Sequence, residues 1–165
     1  MKQLLIILLL CGAVNAFGQQ TDFSGAWLIG GGKPEFNYGP YDVFPKNMEV
    51  MQDSGRMYIK SNLVSADSAV SSYTEVLPFN GAASQLSGNS GMKKSSSLKW
   101  NKDGRTFELF SETLTPEGQP GPKLEDHWSL ENGGKILAID RFVTYDKPLH
   151  GYPATMHYIA VYFRN

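Results

Sequence analysis

Apolar and polar residues alternate in short runs along most of the chain, and Gly, Asn, Asp and Pro interrupt the runs repeatedly. Helical periodicity is nearly absent. Strict alternation turns successive side chains to opposite faces of a strand, so the pattern predicts an all-β sandwich or barrel. Three hairpins can be registered from the side chains alone. In "MEVMQDSGRMYIKS" a two-residue turn at Ser54 and Gly55 pairs Asp53 with Arg56, which sets Val50 opposite Ile59 and Glu49 opposite Lys60. In "SSSLKWNKDGRTFELF" the Asp103 and Gly104 turn pairs Lys102 with Arg105 and sets Trp100 against Phe107, Leu98 against Leu109 and Lys99 against Glu108. In "KLEDHWSLENGGKILAIDRFV" a type I′ turn at Asn132 and Gly133 is expected to set Trp128 opposite Leu137, Asp126 opposite Ile139 and Leu124 opposite Arg141. A slip of one residue would scramble all of these faces.

A first strand at Gly25–Ile29, one at Tyr73–Phe79 and a last one at Tyr158–Arg164 bring the count to about nine, joined as a meander. The predicted fold is therefore a single up-and-down antiparallel β-barrel of eight to ten strands, because closure removes exposed edges; an open sandwich is the other arrangement. Asn80–Gly91 and Thr115–Pro122 read as polar loops. On this count the long loops 80–92, 114–122 and 146–156 fall at the end where the chain enters the barrel, opposite the first connection.

The leader differs in kind. "MKQLLIILLLCGAVNA" carries one cation at Lys2, an apolar run from Leu4 to Leu10 and a small-residue exit at Val14–Ala16, the layout of a secretory signal with cleavage expected after Ala16 or Gly18. The run is much shorter than the roughly 20 apolar residues a spanning helix needs, so no transmembrane segment is expected. Residues 1–18 are thus set aside and 19–165 read as one domain in a periplasmic or secreted setting. The single cysteine, Cys11, lies in the leader, where "LLLC" lacks the small residue that precedes a lipid-modified cysteine. A mature chain without cysteine excludes disulfides, thiolate metal ligands and thiol catalysis. A formal net charge of -1, without long runs of either sign, disfavours nucleic acid and anionic lipid as partners.

With Gly25 and Trp27 in "DFSGAW" and Arg164 in the last strand, "HYIAVYFRN", the chain resembles the lipocalins and wider calycin barrels, especially small secreted bacterial lipocalin-like proteins. The resemblance implies that Trp27 plugs the closed end of the barrel with Arg164 packed over it. It also implies carriage of a small hydrophobic or acidic amphipathic ligand inside the barrel, with no cofactor.

The registered inner face carries Val50, Met57, Ile59, Leu98, Trp100, Phe107, Leu109, Leu124, Trp128, Leu130, Leu137, Ile139 and Val143, suited to a filled core or to an apolar cavity. Parity turns two charges, Asp126 and Arg141, to the same side. One reading makes Arg141 an anchor for a ligand carboxylate or phosphate with Asp126 as its resting counter-ion, the ligand body lying against Trp100, Phe107, Trp128, Leu109 and Ile139; the other is a structural ion pair. His127, His150 and His157 form no recognised metal spacing: His127 should face solvent, while His150 and His157 bracket a loop and could line the barrel mouth with Tyr152. Asp126 and His127, adjacent on a strand, point oppositely and cannot act as a dyad, so no catalytic residues are assigned. A small barrel enzyme using Arg141, Asp126 and a tyrosine, and a solid-cored interaction module, are the alternatives. The segment "KPEFNYGPYDVFP", with Phe36, Tyr38, Tyr41 and Phe44, reads as an aromatic lid, a partner surface or a loop flat on the barrel wall.

Overall fold

The computed structural model describes residues 20–30, 44–64, 70–87, 93–147 and 153–165. Ten antiparallel strands lie among them: β1 (Gly25–Ile29), β2 (Asn47–Gln52), β3 (Arg56–Val64), β4 (Val70–Pro78), β5 (Ser84–Ser87), β6 (Lys93–Trp100), β7 (Phe107–Leu114), β8 (Pro120–Glu131), β9 (Ile136–Thr144) and β10 (Thr155–Arg164). They form one sheet in the order β4-β3-β2-β1-β10-β9-β8-β7-β6-β5, curled into a nearly closed barrel. This is the expected all-β, up-and-down architecture, and it is compatible with a lipocalin-like fold.

Two of the expected hairpins have the register their side chains dictate. Val50 faces Ile59 and Glu49 faces Lys60 across β2 and β3, where the Asp53 amide donates to the Arg56 carbonyl at 3.0 Å around the turn. Trp100 faces Phe107, Lys99 faces Glu108 and Leu98 faces Leu109 across β6 and β7. The third hairpin departs from expectation by two residues. Trp128 lies opposite Ile139, Asp126 opposite Arg141 and Leu124 opposite Val143. The cause is the link: Asn132, Gly133 and Gly134 all take positive φ (47°, 63° and 83°), so the chain runs on through a short 3-10 turn, Asn132–Gly134, before Ile136 pairs with Glu131. A shift of two preserves which side chains face inward. It turns the diagonal expected for Asp126 and Arg141 into a direct cross-strand pair.

A further correction concerns the loops. The stretch 80–91 contains β5, and β8 begins at Pro120, inside the loop expected at 115–122. Adding β5 reverses the direction of every later connection. Strands β5, β7 and β9 therefore finish at the same end as β1, not at the end where the chain enters. The entry end holds the tight turns 53–55 and 101–106, the 132–135 link and the carboxy-terminal residue.

The core runs the length of the barrel. Phe23, Trp27, Met57, Leu77, Leu98, Phe107, Leu137 and Tyr162 are fully or almost fully buried. At the entry end Phe23, Phe79, Trp100, Phe107 and Trp128 form a ring stack with centroids 4.9 to 5.9 Å apart. Trp27 and Arg164 pack against each other as the resemblance implies. Trp27 is 1% exposed, its Nε1 donates to the Phe23 carbonyl at 3.0 Å, and the Arg164 guanidinium lies 4.8 Å above its ring. Gly25 makes that stack fit, since a Cβ there would sit 3.3 Å from Arg164 Nε and its φ of 153° disfavours other residues.

Closure between β4 and the β5–β6 edge rests on side chains. Glu75, 5% exposed, accepts from Lys94 Nζ at 2.9 Å and from Ser96 Oγ at 2.7 Å, and Ser96 meets Ser111 at 3.0 Å. These polar groups bind the two edges of the sheet across a strip of core that is otherwise apolar.

Candidate ligand site

Arg141 and Asp126 meet in a bidentate pair inside the barrel. Arg141 Nε donates to Asp126 Oδ1 and Nη2 donates to Oδ2, both at 2.6 Å, with side-chain exposures of 13% and 2%. Their placement follows from the strands: even-numbered residues of β8 and odd-numbered residues of β9 point inward, and the pair occupies opposed positions on the two. Burial works against the guanidinium charge, but the Asp126 carboxylate and its hydrogen bonds outweigh it, so the Arg141 pKa is raised. Burial likewise pushes the Tyr162 phenol well above its ordinary range, against the opposing pull of Arg141.

Phe44 covers the pair, with its ring 4.5 Å from the guanidinium carbon. Pro45 follows, and its carbonyl accepts from Tyr162 Oη at 2.8 Å. Of the aromatic segment marked in the sequence, Phe44 is buried against the site; Phe36, Tyr38 and Tyr41 lie outside the described residues, as do His150 and Tyr152.

Beside the pair lies a cavity of about 20 Å³, walled by Pro45, Met48, Ile59, Ser61, Tyr73, Glu75, Lys94, Leu109, Asp126, Trp128, Ile139 and Arg141. Such a space accommodates about one water. The structure brings Leu109, Asp126, Trp128, Ile139 and Arg141 to this one wall. Trp100 and Phe107, also expected there, stand outside it in the aromatic stack towards the entry end. Glu75 and Lys94 are additional polar members of the wall. Glu75 could have been found by extending the alternation of Tyr73 and Leu77 along its strand, and Lys94 by extending that of Trp100 and Leu98 along β6; parity puts both inward.

The chemistry available is recognition of an acidic or strongly polar head by a guanidinium in a dry setting, next to apolar walls. The resting pair is internally neutral, so a ligand must exchange with Asp126 or add a contact beside it.

The histidines lie elsewhere. His127 faces outward as expected, 3.1 Å from Glu125. His157, expected in a loop, lies on the outer face of β10, in contact with Asp140 and stacked on Phe142 at 4.6 Å. Among the described residues no group of three or more His, Cys, Asp and Glu side chains could hold a metal ion, and no helix is long and apolar enough to cross a membrane. No protein-family model matches the chain, and no curated protein matches it.

Proposed function

We propose that the chain is a secreted or periplasmic barrel, akin to bacterial lipocalin-like and other calycin proteins, that binds a small amphipathic acid with its head at Arg141. The observation that carries this reading is the bidentate Arg141–Asp126 pair, held in an apolar barrel beside a cavity and covered by Phe44. A cavity of about 20 Å³ takes no ligand body as it stands. Binding therefore requires the Phe44–Pro45 stopper to swing off the guanidinium, which opens the barrel at the end where β1 finishes. The expected signal peptide, removed after Ala16 or Gly18, delivers the domain outside the cytoplasm; a lipid anchor at Cys11 is the lesser alternative.

Displacement of a fluorescent fatty-acid analogue tests the anchor. An acidic ligand should compete better than its neutral alcohol or amide, and Arg141→Met should remove the difference, about 1.5 to 3 kcal/mol for a hydrogen bond to a charged group. Equal competition by acid and alcohol in the wild type leaves Arg141–Asp126 a structural pair.

One observation favours a second reading, a filled barrel that acts through its outer wall. The hollow on that wall, between Phe110 and Phe142 and lined also by Glu112, Lys123, Glu125 and Thr144, has a volume of about 260 Å³, much larger than the interior cavity. Surface substitutions there that abolish capture of a partner, with no small molecule bound inside, would favour it.

A further inference from the structure

Among the described residues two buried hydrogen-bond donors meet no acceptor, the indole Nε1 groups of Trp100 and Trp128. The third tryptophan supplies the comparison. Trp27, in its structural role, gives its Nε1 to the Phe23 carbonyl at 3.0 Å. A buried donor without an acceptor has lost its hydration with nothing in exchange, and native cores rarely keep one without a reason.

The positions suggest the reason. Trp128 lies in the wall of the cavity beside Arg141, Asp126, Leu109 and Ile139, and it is 2% exposed. It follows Asp126 by two residues on β8 and shares its inward face, so its Cα lies about 6.7 Å further along the strand, away from the end where β1 finishes. Trp100 lies one aromatic layer further round, on the other side of Phe107, whose ring is 5.1 Å from Trp128 and 5.3 Å from Trp100. Acid recognition at Arg141 and an unsatisfied donor at Trp128 thus lie in line along the barrel interior, with apolar side chains between and around them.

Resting on the ligand reading above, we infer that the bound molecule is an oxygenated amphipathic acid, whose keto, hydroxyl or ester oxygen accepts a hydrogen bond from Trp128 Nε1. Two residues of strand rise correspond to about five carbons of an extended chain advancing roughly 1.3 Å per C–C bond, and that spacing between oxygen and carboxylate is the one to test. A saturated acid of the same length fills the same space but leaves the indole donor bare. Trp128 is then the residue that separates the two, because a site built to hydrogen-bond one group discriminates against the analogue that lacks it.

Calorimetric titration with 6-oxodecanoic acid and decanoic acid tests this. The wild type should bind the oxo acid about tenfold more tightly, the equivalent of one net hydrogen bond. In Trp128→Phe, which keeps a ring and removes the donor, the ratio of the two affinities should fall to about one, whatever happens to their absolute values. A second readout does not depend on that variant folding: in the wild type the Trp128 indole N–H resonance should move downfield with the oxo acid and stay in place with decanoic acid. Equal affinities in the wild type, a retained ratio in folded Trp128→Phe, or an indole resonance that responds alike to both acids would each overturn the inference and leave acid binding standing. If neither acid binds, it is the ligand reading itself that fails.

Discussion

Removing one member of the Arg141–Asp126 pair should hurt the fold more than removing both. Arg141→Met leaves Asp126, 2% exposed, as a carboxylate in the barrel interior with its bidentate partner gone. Breaking a buried pair this way costs roughly 3 to 5 kcal/mol. Two features of the site push the expected value to the lower end, about 3 kcal/mol. Arg141 is itself 13% exposed, and the adjoining cavity of about 20 Å³ can bring one water to the stranded carboxylate. Asp126→Asn alone should also destabilise the fold, because it replaces a charged bidentate acceptor of the Arg141 guanidinium with a neutral amide. The double variant, Asp126→Asn with Arg141→Met, keeps the volume and carries no charge. Its remaining penalty is an under-satisfied amide, about 1 to 3 kcal/mol. Guanidinium chloride unfolding of the wild type, both single variants and the double variant gives the coupling energy directly, since the two side chains touch and should be strongly non-additive. Additive losses, or a double variant less stable than Arg141→Met, would show that solvent screens the pair and that the interior is wetter than described.

Other expectations can be checked with the same methods. Trp27→Ala should cost roughly 3 to 5 kcal/mol, as for a buried aromatic, whereas Arg164→Met should cost only the cation-π contact, about 0.5 to 2 kcal/mol; chemical denaturation midpoints decide both. Glu75→Ala removes the acceptor for Lys94 and Ser96 at the β4–β6 seam, so it should lower stability by about 1.5 to 3 kcal/mol and speed amide exchange in β4 and β5 before the rest of the sheet. The Ser24 hydroxyl and amide hold the Asp22 carboxyl below its ordinary range. A lowered pKa in the folded state stabilises above the ordinary carboxylate range and is lost as pH falls through the folded value. Asp22→Asn should therefore unfold earlier than the wild type at pH 7 and indistinguishably from it near pH 2.

How much of this was legible in the sequence depends on the kind of signal each element carried. β2–β3 and β6–β7 were readable down to individual pairs, because a two-residue turn or a cross-strand aromatic pair admits one register that sorts the faces. The β8–β9 hairpin misled in register but not in facing. Asn132–Gly133 is the expected turn pair, and only Gly134, also in a left-handed conformation, lengthens the link. β5 had no legible signal, since Ser84–Ser87 alternates between partly buried and exposed without a single fully buried side chain, and its loss reversed the assignment of barrel ends. The inward charge of Arg141 and Asp126 followed from parity alone. Phe44 as their cover did not, because its position depends on the course of a segment with no periodicity. The two unpaired indoles are equally invisible in a sequence, which records that a tryptophan faces inward but not whether its nitrogen finds a partner.

The order of strands around the sheet has a consequence for assembly. Read from β5, the order is β5-β6-β7-β8-β9-β10-β1-β2-β3-β4, a plain meander whose one long-range joint is the β1–β10 ladder, where Trp27 pairs with Arg164. β4 and β5, neighbours in the chain, are the two edges of the sheet. The natural connectivity thus places its costliest loop closure in the middle of the sheet and a short connection, 79–83, across the one gap in the ladder. A circular permutant opened within 79–83, with Arg164 linked by a short flexible tether to the residues ahead of Gly25, would make every ladder a connection between sequence neighbours while breaking none. The Glu75–Lys94 and Glu75–Ser96 seam then becomes the long-range joint, so the permutant should form its ladders sooner, through contacts near in sequence, and close the seam last.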